Sequence, residues 1–415
     1  MKGTPRWCTL HAIKEKFMAE KKKSPSKHVE SDANVDRDEL ALLVQKELNK
    51  SQKDGTKVSF FLDEDDNPVD VKEWVSTGST LLDLAISNRP HGGFPVGRMV
   101  ELSGLESTGK SLICAQIIAE TQRRGGLAVF FDSESSVDKK FWTALGVNIR
   151  NVNYQKFTTL EELFTMIELV IGVFRKKDDG RLLTIFIDSV AQASVETEME
   201  SEHGVSGYNT AKSIILSKAM RKITNLVSNQ RVLLVYTNQL RYNMNAGPFG
   251  DKWIVPGGKA LPHACSVRIR LANLGKLKVK RHGLDEVIGM KCTSQVIKNR
   301  CGPGYRQAQF EIHYDSGIQD LTSWLNYMKL HGLITGDKSG YKFTRPSGEK
   351  VEFDTPKFVE LMNTDETLKE EVYQAICAEY IMQYRDPNSK IVEDVEETNT
   401  EDDDISKDAV KENED

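Results

Sequence analysis

Between Thr77 and Tyr236, short dense apolar runs alternate with segments whose apolar residues recur at helical spacing. Met99-Val100-Glu101-Leu102 reads as a strand, and Ser111 to Arg124 as a helix with Leu112, Cys114, Ile117 and Ile118 apolar. Leu127 to Phe131 predicts a second strand and Leu160 to Phe174 a second helix. Leu183 to Ile187 and Val232 to Tyr236 are continuous apolar runs, the pattern of strands buried on both faces of a sheet. Strands separated by helices predict an α/β fold with a largely parallel sheet. Beyond Val267 the runs Val267 to Leu271, Gly289 to Lys298 and Gln307 to Ile312 read as antiparallel strands. After about Leu321 the pattern becomes helical, predicting a small, mainly helical module up to about Tyr384. Ahead of the core, Leu40, Leu42, Leu43, Val44 and Leu48 predict a short helix with one apolar side. Val58 to Leu62 then reads as a strand, closed by the polar turn Asp63 to Pro68.

Composition narrows the setting. No apolar run approaches the ~18 residues that a membrane span needs. The basic N-terminus carries no apolar signal stretch, which argues against secretion. The six cysteines are scattered without a C-x-x-C pair, which disfavours a zinc site or disulfide framework and fits a reducing cytoplasm. The formal net charge is −5, and its distribution is uneven. From Glu393 to Asp415 twelve acidic residues stand against two lysines, so the tail carries −10 and residues 1–392 carry +5. That imbalance fits a nucleic-acid binder whose tail competes for its basic surface, and equally a solubilising end.

The chemistry concentrates after the first core strand. Gly104-Leu105-Glu106-Ser107-Thr108-Gly109-Lys110-Ser111 matches G-x-x-x-x-G-K-[ST] between a strand and a helix. Glycines let the backbone curl so that its N–H groups face phosphate oxygens at a helix N-terminus. Gly104, Glu106, Ser107, Thr108 and Gly109 therefore form a phosphate cradle for ATP. Lys110 reaches the β/γ-phosphates, and the Ser111 hydroxyl ligates Mg²⁺. Asp188 ends the apolar strand Leu183 to Ile187 at the sheet edge where ligands sit, and is a candidate for the carboxylate of the Mg²⁺ shell, the alternative being a cap for a following helix. Glu134, after the strand end Phe130-Phe131-Asp132, is a candidate general base, and Gln239 closes another strand with an amide to sense the γ-phosphate.

With the order and spacing of further segments, the chain from about Thr77 to Leu333 resembles the RecA family, both bacterial RecA and the phage UvsX type. The segments are Gly92 to Arg98, Asp132-Ser133-Glu134, Ile187 to Ala191, Ala219-Met220-Arg221-Lys222, Asn238 to Arg241 and Val296 to Arg300. The resemblance implies an ATP-dependent recombinase that forms helical filaments on single-stranded DNA and exchanges strands with a homologous duplex. It implies that Glu134 is the catalytic glutamate and Gln239 the γ-phosphate sensor. Asp138 and Phe141 fall where the family contacts and stacks on adenine, with Phe in place of an expected Tyr. Lys298 and Arg300 resemble a pair that reaches the ATP of the neighbouring subunit. Two DNA-facing loops are implied, over about Glu198 to Gly207 and Leu240 to Lys259, with Arg221, Arg241, Phe249, Trp253, Gly257, Gly258 and Lys259 as DNA contacts. The first loop departs from the pattern, being acidic from Glu198 to Glu202.

The implied organisation is a basic N-terminal extension and oligomerisation element over 1–75, the ATPase core over 76–333, a C-terminal module over 334–385 and an acidic tail over 386–415. The C-terminal segment is closer to the phage type, pointing to a phage-infected or bacterial cytoplasm, with single-strand-binding and mediator proteins as further partners and no membrane. Without the family, the second loop still interleaves Arg241, Lys252 and Lys259 with Tyr242, Phe249 and Trp253. Cations track a phosphate backbone while rings offer faces to unstacked bases; the alternative is that these rings pack on the core. Lys276, Lys278, Lys280 and Arg281 before Gly283 read as a second DNA site or as a solvated charged turn. Two other uses of the same core compete: a regulatory or scaffold ATPase that binds protein clients, and a hexameric helicase.

Overall fold

The computed structural model describes residues 37–52, 57–64, 70–135, 137–177, 180–190, 193, 208–228, 230–243, 253–255, 260–337 and 340–384. The chain divides into two compact units, Met1–Val69 and Asp70–Asp415. In the first, Asp38 caps helix α1 (Glu39–Lys50) by accepting from the N–H groups of Leu40 and Ala41. The expected strand at Val58 to Leu62 has no ladder partner among the described residues. The Asn49 side chain takes the place of a neighbouring strand: its Oδ1 accepts from Val58 and Ser59 N–H at 2.8 Å each, and its Nδ2 donates to Ser59 O.

The second unit runs β1 (Trp74–Val75), α2 (Thr80–Ser87), β2 (Phe94–Pro95), β3 (Met99–Gly104), α3 (Lys110–Arg123), β4 (Leu127–Asp132), α4 (Lys139–Ala144), β5 (Val152–Lys156), α5 (Leu160–Lys176) and β6 (Leu183–Asp188). It continues through α6 (Tyr208–Ser228), β7 (Val232–Gln239), β8 (Arg241–Tyr242), β9 (Trp253–Ile254), α7 (Ala260–Ala264), β10 (Val267–Arg281), β11 (Leu284–Asn299), β12 (Gln307–His313) and β13 (Gly317–Ile318). The remaining elements are α8 (Asp320–Leu330), β14 (Thr335–Asp337), β15 (Gly340–Thr344), β16 (Lys350–Phe353), α9 (Thr355–Thr364) and α10 (Glu366–Tyr380).

Nine strands form one sheet in the order β13-β12-β11-β10-β3-β7-β6-β4-β5. From β10 to β5 all pairings are parallel, and β11, β12 and β13 add as antiparallel strands. This is the α/β, largely parallel core expected from the alternation of apolar runs. The strands β3, β4, β6 and β7 serve two cores. On β3, Val100 and Leu102 face the cluster built with α2 and α3, whereas Met99 faces the one built with α5 and α6. Both faces being covered explains why Val232 to Val235 are apolar without alternation.

The C-terminal segment is less purely helical than expected. With its three helices it carries an antiparallel sheet β14-β15-β16, whose Tyr341 and Phe343 turn inward while Lys342 and Thr344 face out. Its Phe353, Phe358 and Tyr373 join the same apolar cluster as Leu84 and Ile86 of α2. Tyr373 accepts from His91 N–H at 2.7 Å, and Tyr380 donates to Gln307 O at 2.8 Å.

Candidate nucleotide site and the cations at the far end of the sheet

Parallel strands end together, so their last residues form one edge, and the chemistry lies along it. Gly104 of β3 is in register with Gln239 of β7, and Asp188 of β6 with Asp132 of β4. The turn after Gly104 leads directly into α3. Gly109 caps that helix with φ 91°, and an added Cβ would meet Ile312 Cδ1 at 2.7 Å. At Gly104 a Cβ would meet Thr108 Oγ1 at 2.5 Å and Leu271 O at 2.8 Å. Both positions therefore disfavour side chains, by conformation at Gly109 and by the backbone carbonyl of Leu271 at Gly104. Ser107 also takes a left-handed φ of 56°, a backbone state stored where a loop must curl. Thr108 Oγ1 donates to Leu105 O at 2.9 Å and braces the curl from inside. Leu105, Glu106 and Ser107 are exposed on its crest.

Lys110 and Ser111 open α3 on this edge. The Lys110 ammonium donates to Gly104 O at 3.1 Å and Leu105 O at 2.6 Å, folding over the loop it follows. Burial holds its pKa below the ordinary lysine value, with Asp188, Glu134 and Glu106 acting in the opposite sense. Ser111 Oγ donates to Asp188 Oδ2 at 3.4 Å, and Thr237 Oγ1 donates to Asp188 Oδ1. Burial raises the Asp188 carboxyl, opposed first by the Thr237 hydrogen bond.

Glu134 stands beside this group on a turn that is tightly specified. Asp132 Oδ1 accepts from Glu134 N–H at 2.7 Å and Ser135 N–H at 2.8 Å, and Tyr154 donates to Asp132 Oδ2 at 3.0 Å. Ser189 Oγ donates to Glu134 Oε1 at 3.1 Å, and Ser133 N–H donates to Asp188 O at 2.8 Å, so the two strand ends are stitched together. Burial, then the charge of Asp188, raises the Glu134 carboxyl above its usual range. Lys110, Ser111, Asp188 and Glu134 are thus brought together, with Gln239 half-buried at the end of the adjoining strand. Thr237, Ser189, Asp132 and Tyr154 were not singled out from sequence. Thr237 lies two residues before Gln239 on the same strand, a spacing that puts it on the same side, and that was the available signal.

The other predicted residues are placed as follows. Asp138 caps α4, accepting from Lys140 and Phe141 N–H, and Phe141 is half-buried against the core. Arg221 is exposed on α6 and donates to Ser217 O. Arg241 and Tyr242 pair with Ile254 and Trp253 in a two-stranded ladder, where the Tyr242 and Trp253 rings meet edge to face at 5.9 Å. Phe249, Gly257, Gly258, Lys259 and the loop Glu198 to Gly207 lie outside the described residues.

Lys298 and Arg300 sit at the opposite end of the sheet from the nucleotide edge. Lys298 is opposite Arg268, which is opposite Glu101 near the start of β3. Arg300 N–H donates to Ser266 O, and Ser266 N–H to Met99 O. Arg300 is therefore level with Met99, five strand residues or about 16 Å from Gly104 along the sheet. That exceeds the reach of an arginine side chain. Lys298 Nζ donates to Pro262 O at 2.7 Å and His263 O at 3.2 Å, and Arg300 Nη2 to His263 O at 3.5 Å. Asn299 points to the other face, donating to Ile86 O and Pro303 O.

Comparison with known proteins identifies the family of the chain. The family model of the RecA N-terminal domain matches residues 43–319. The chain is 34% identical to Protein RecA of Leptospira meyeri over 277 residues, 67% of each chain. It is 34% identical to Protein RecA of Teredinibacter turnerae over 277 residues, covering 67% of this chain and 76% of that one. With Protein RecA of Colwellia psychrerythraea the identity is 32% over 287 residues, 69% of this chain and 78% of the relative.

Proposed function

The chain belongs to the RecA family, and we infer from that membership that it is an ATP-dependent DNA recombinase, a DNA-dependent ATPase of recombination and repair. The observation that carries the reading is the single edge on which the P-loop, Asp188, Glu134 and Gln239 meet, inside the matched region. We propose that the working form is a helical filament on single-stranded DNA that pairs with a homologous duplex. Single-strand-binding and mediator proteins of the cytoplasm are its expected partners.

The residues fit a magnesium nucleotide. The cradle disfavours side chains at Gly104 and Gly109, which leaves N–H groups to meet phosphate oxygens. Ser111 and Asp188 are hard oxygen donors, and a site with one carboxylate suits an ion that shares its shell with phosphates. Among the described residues no cluster of three or more His, Cys, Asp or Glu could hold a metal alone, which fits such sharing. When bound, Mg²⁺ neutralises charge on the phosphate oxygens. Lys110, which lies on the carbonyls of Gly104 and Leu105, would pair with the β/γ-phosphates of a bound nucleotide. Glu134, held by Asp132 and Ser189, accepts the proton of the attacking water, a role its raised pKa favours. Gln239 reports phosphate occupancy to the loop that follows it.

Lys298 and Arg300 cannot reach the P-loop of their own chain, which supports their acting on the nucleotide of a neighbouring subunit. The remaining regions are read as an oligomerisation element over 1–75, a C-terminal module over 334–385 and an acidic tail over 386–415 that competes for basic surface. Among the described residues no helix is long and apolar enough to cross a membrane. Electron microscopy with single-stranded DNA and a non-hydrolysable ATP analogue, beside ATPase assays with and without that DNA, tests the reading. Helical filaments and DNA-stimulated turnover are expected. Closed rings would instead mean a helicase, and no assembly a scaffold ATPase.

A further inference from the structure

Glu101 is a charged residue near the start of the central strand β3 with no exposed surface. Burying a carboxylate is costly unless it is paired and hydrogen-bonded, so its partners identify its role. Glu101 Oε2 pairs with Arg268 Nε, and Oε1 accepts from Asn238 Nδ2 at 3.3 Å. Register places Glu101 opposite Arg268 and Arg268 opposite Lys298, so the three side chains lie in one row across β3, β10 and β11. Arg300 follows two residues after Lys298 on the same face. Three cations, Arg268, Lys298 and Arg300, therefore crowd one end of the sheet, and the anion in their row is Glu101.

The hydrogen bonds show how that crowd is sorted. Arg268 turns inward to Glu101, while Lys298 and Arg300 turn outward to the carbonyls of Pro262 and His263. Burial acts against the charged form of Arg268, and Glu101 more than offsets it. Burial lowers the Lys298 pKa, next the charge of Arg300 and then that of Arg268, whereas Glu101 raises it. Without the carboxylate, the Arg268 guanidinium would lose its inward anchor. It would then compete for the carbonyl oxygens that hold Lys298 and repel its ammonium.

We propose that Glu101 is a positioning residue: by holding Arg268 inward it keeps Lys298 and Arg300 directed outward, ready for the nucleotide of the adjacent subunit. This rests on the reading of Lys298 and Arg300 as groups supplied in trans. Asn238 offers the competing assignment, because it precedes Gln239 and a role through it would act on the chain's own nucleotide.

Mixed filaments separate the two. Arg300→Ala mixed with Lys110→Ala is the control, expected to regain turnover where an intact P-loop meets intact cations. Glu101→Gln mixed with Lys110→Ala should regain turnover too, since Glu101→Gln keeps its own P-loop and receives good cations. Glu101→Gln mixed with Arg300→Ala should stay silent, since neither partner offers a well-placed pair. Glu101→Gln alone should lose roughly tenfold or more in DNA-dependent kcat, within the 10³–10⁵ that a trans arginine supplies elsewhere, with KM for ATP little changed. The reverse pattern, silence with Lys110→Ala and recovery with Arg300→Ala, would assign Glu101 to its own nucleotide site and overturn the proposal. Wild-type turnover of Glu101→Gln alone would also overturn it. A silent control despite co-assembly would refute the trans reading itself and the proposal with it. Should Glu101→Gln fail to fold, because Arg268 is left buried and unpaired, Glu101→Asp keeps the charge and shortens the reach. It should show the same asymmetry at smaller amplitude, and a folded Glu101→Asp without asymmetry would sink the idea.

Discussion

Thr237 donates its hydroxyl to Oδ1 of Asp188, leaving Oδ2 facing Ser111 at 3.4 Å. A carboxylate held by a second hydrogen bond presents one oxygen in a fixed direction, and such supporting contacts typically account for 10–100-fold in metal affinity. Thr237→Val keeps the shape and removes the donor. The Mg²⁺ concentration for half-maximal ATPase should rise by roughly 10–100-fold, with the thermal midpoint little changed. An unaltered Mg²⁺ titration would show that Thr237 does not orient the Asp188 carboxylate for the ion.

Lys110 lies over Gly104 O and Leu105 O and has the charges of Asp188 and Glu134 nearby. Lys110→Ala should reduce ATP turnover to near background while unfolding remains cooperative. Near-normal ATPase activity in well-folded protein would overturn the P-loop assignment.

The Tyr242 and Trp253 rings meet edge to face across a two-residue ladder, with Tyr242 the more exposed. Trp253→Ala therefore removes one ring and the support of another. Loss of single-strand affinity should be roughly 1–3 kcal/mol per lost base stack, and Phe249→Ala should add to it. Duplex binding should suffer less. Equal loss on both, measured by fluorescence anisotropy at fixed salt, would point to a disordered loop instead of lost stacking.

Asp83 ties the first turn of α2 to Ser76 and Thr77 ahead of it, and Asp320 ties the start of α8 to Thr80 of α2. Asp83 accepts from Ser76 Oγ, Thr77 N–H and Thr77 Oγ1, and Asp320 from Thr80 N–H, Thr80 Oγ1 and Trp324 Nε1. Burial raises Asp83 to about 7 and Asp320 to about 6, against the pull of those donors. A carboxyl with a folded pKa above its unfolded value binds its proton more tightly when folded. Its contribution is fully present below about pH 4 and is lost as pH rises through the folded pKa. Wild-type stability should thus fall between about pH 4 and 7 relative to Asp83→Asn, by an amount on the order of a few kcal/mol. Urea midpoints of the two proteins that run parallel over that range would show that Asp83 is ionised throughout.

By itself, the sequence determined the class of fold and the position of the candidate phosphate-binding loop. Apolar runs such as Val232 to Val235 encode two-sided burial in their composition, and the P-loop is contiguous, with its glycines required by conformation and close approach. Asp188 was legible because it ends such a run, and Glu134 because it follows the end of another by two residues. Only the tertiary structure decided what depends on register between distant segments. Thr237 meets Asp188 because β7 lies beside β6, and Glu101 meets Arg268 because β10 joins β3 across 167 residues of chain. Lys298 and Arg300 read as site residues from sequence, yet their placement at the far end of the sheet follows from the antiparallel return of β11. The strand expected at Val58 to Leu62 and the sheet missed at Thr335 to Phe353 have the same cause. A short extended segment becomes a strand only when another backbone comes alongside to satisfy its hydrogen bonds, and periodicity within the segment carries no record of that partner.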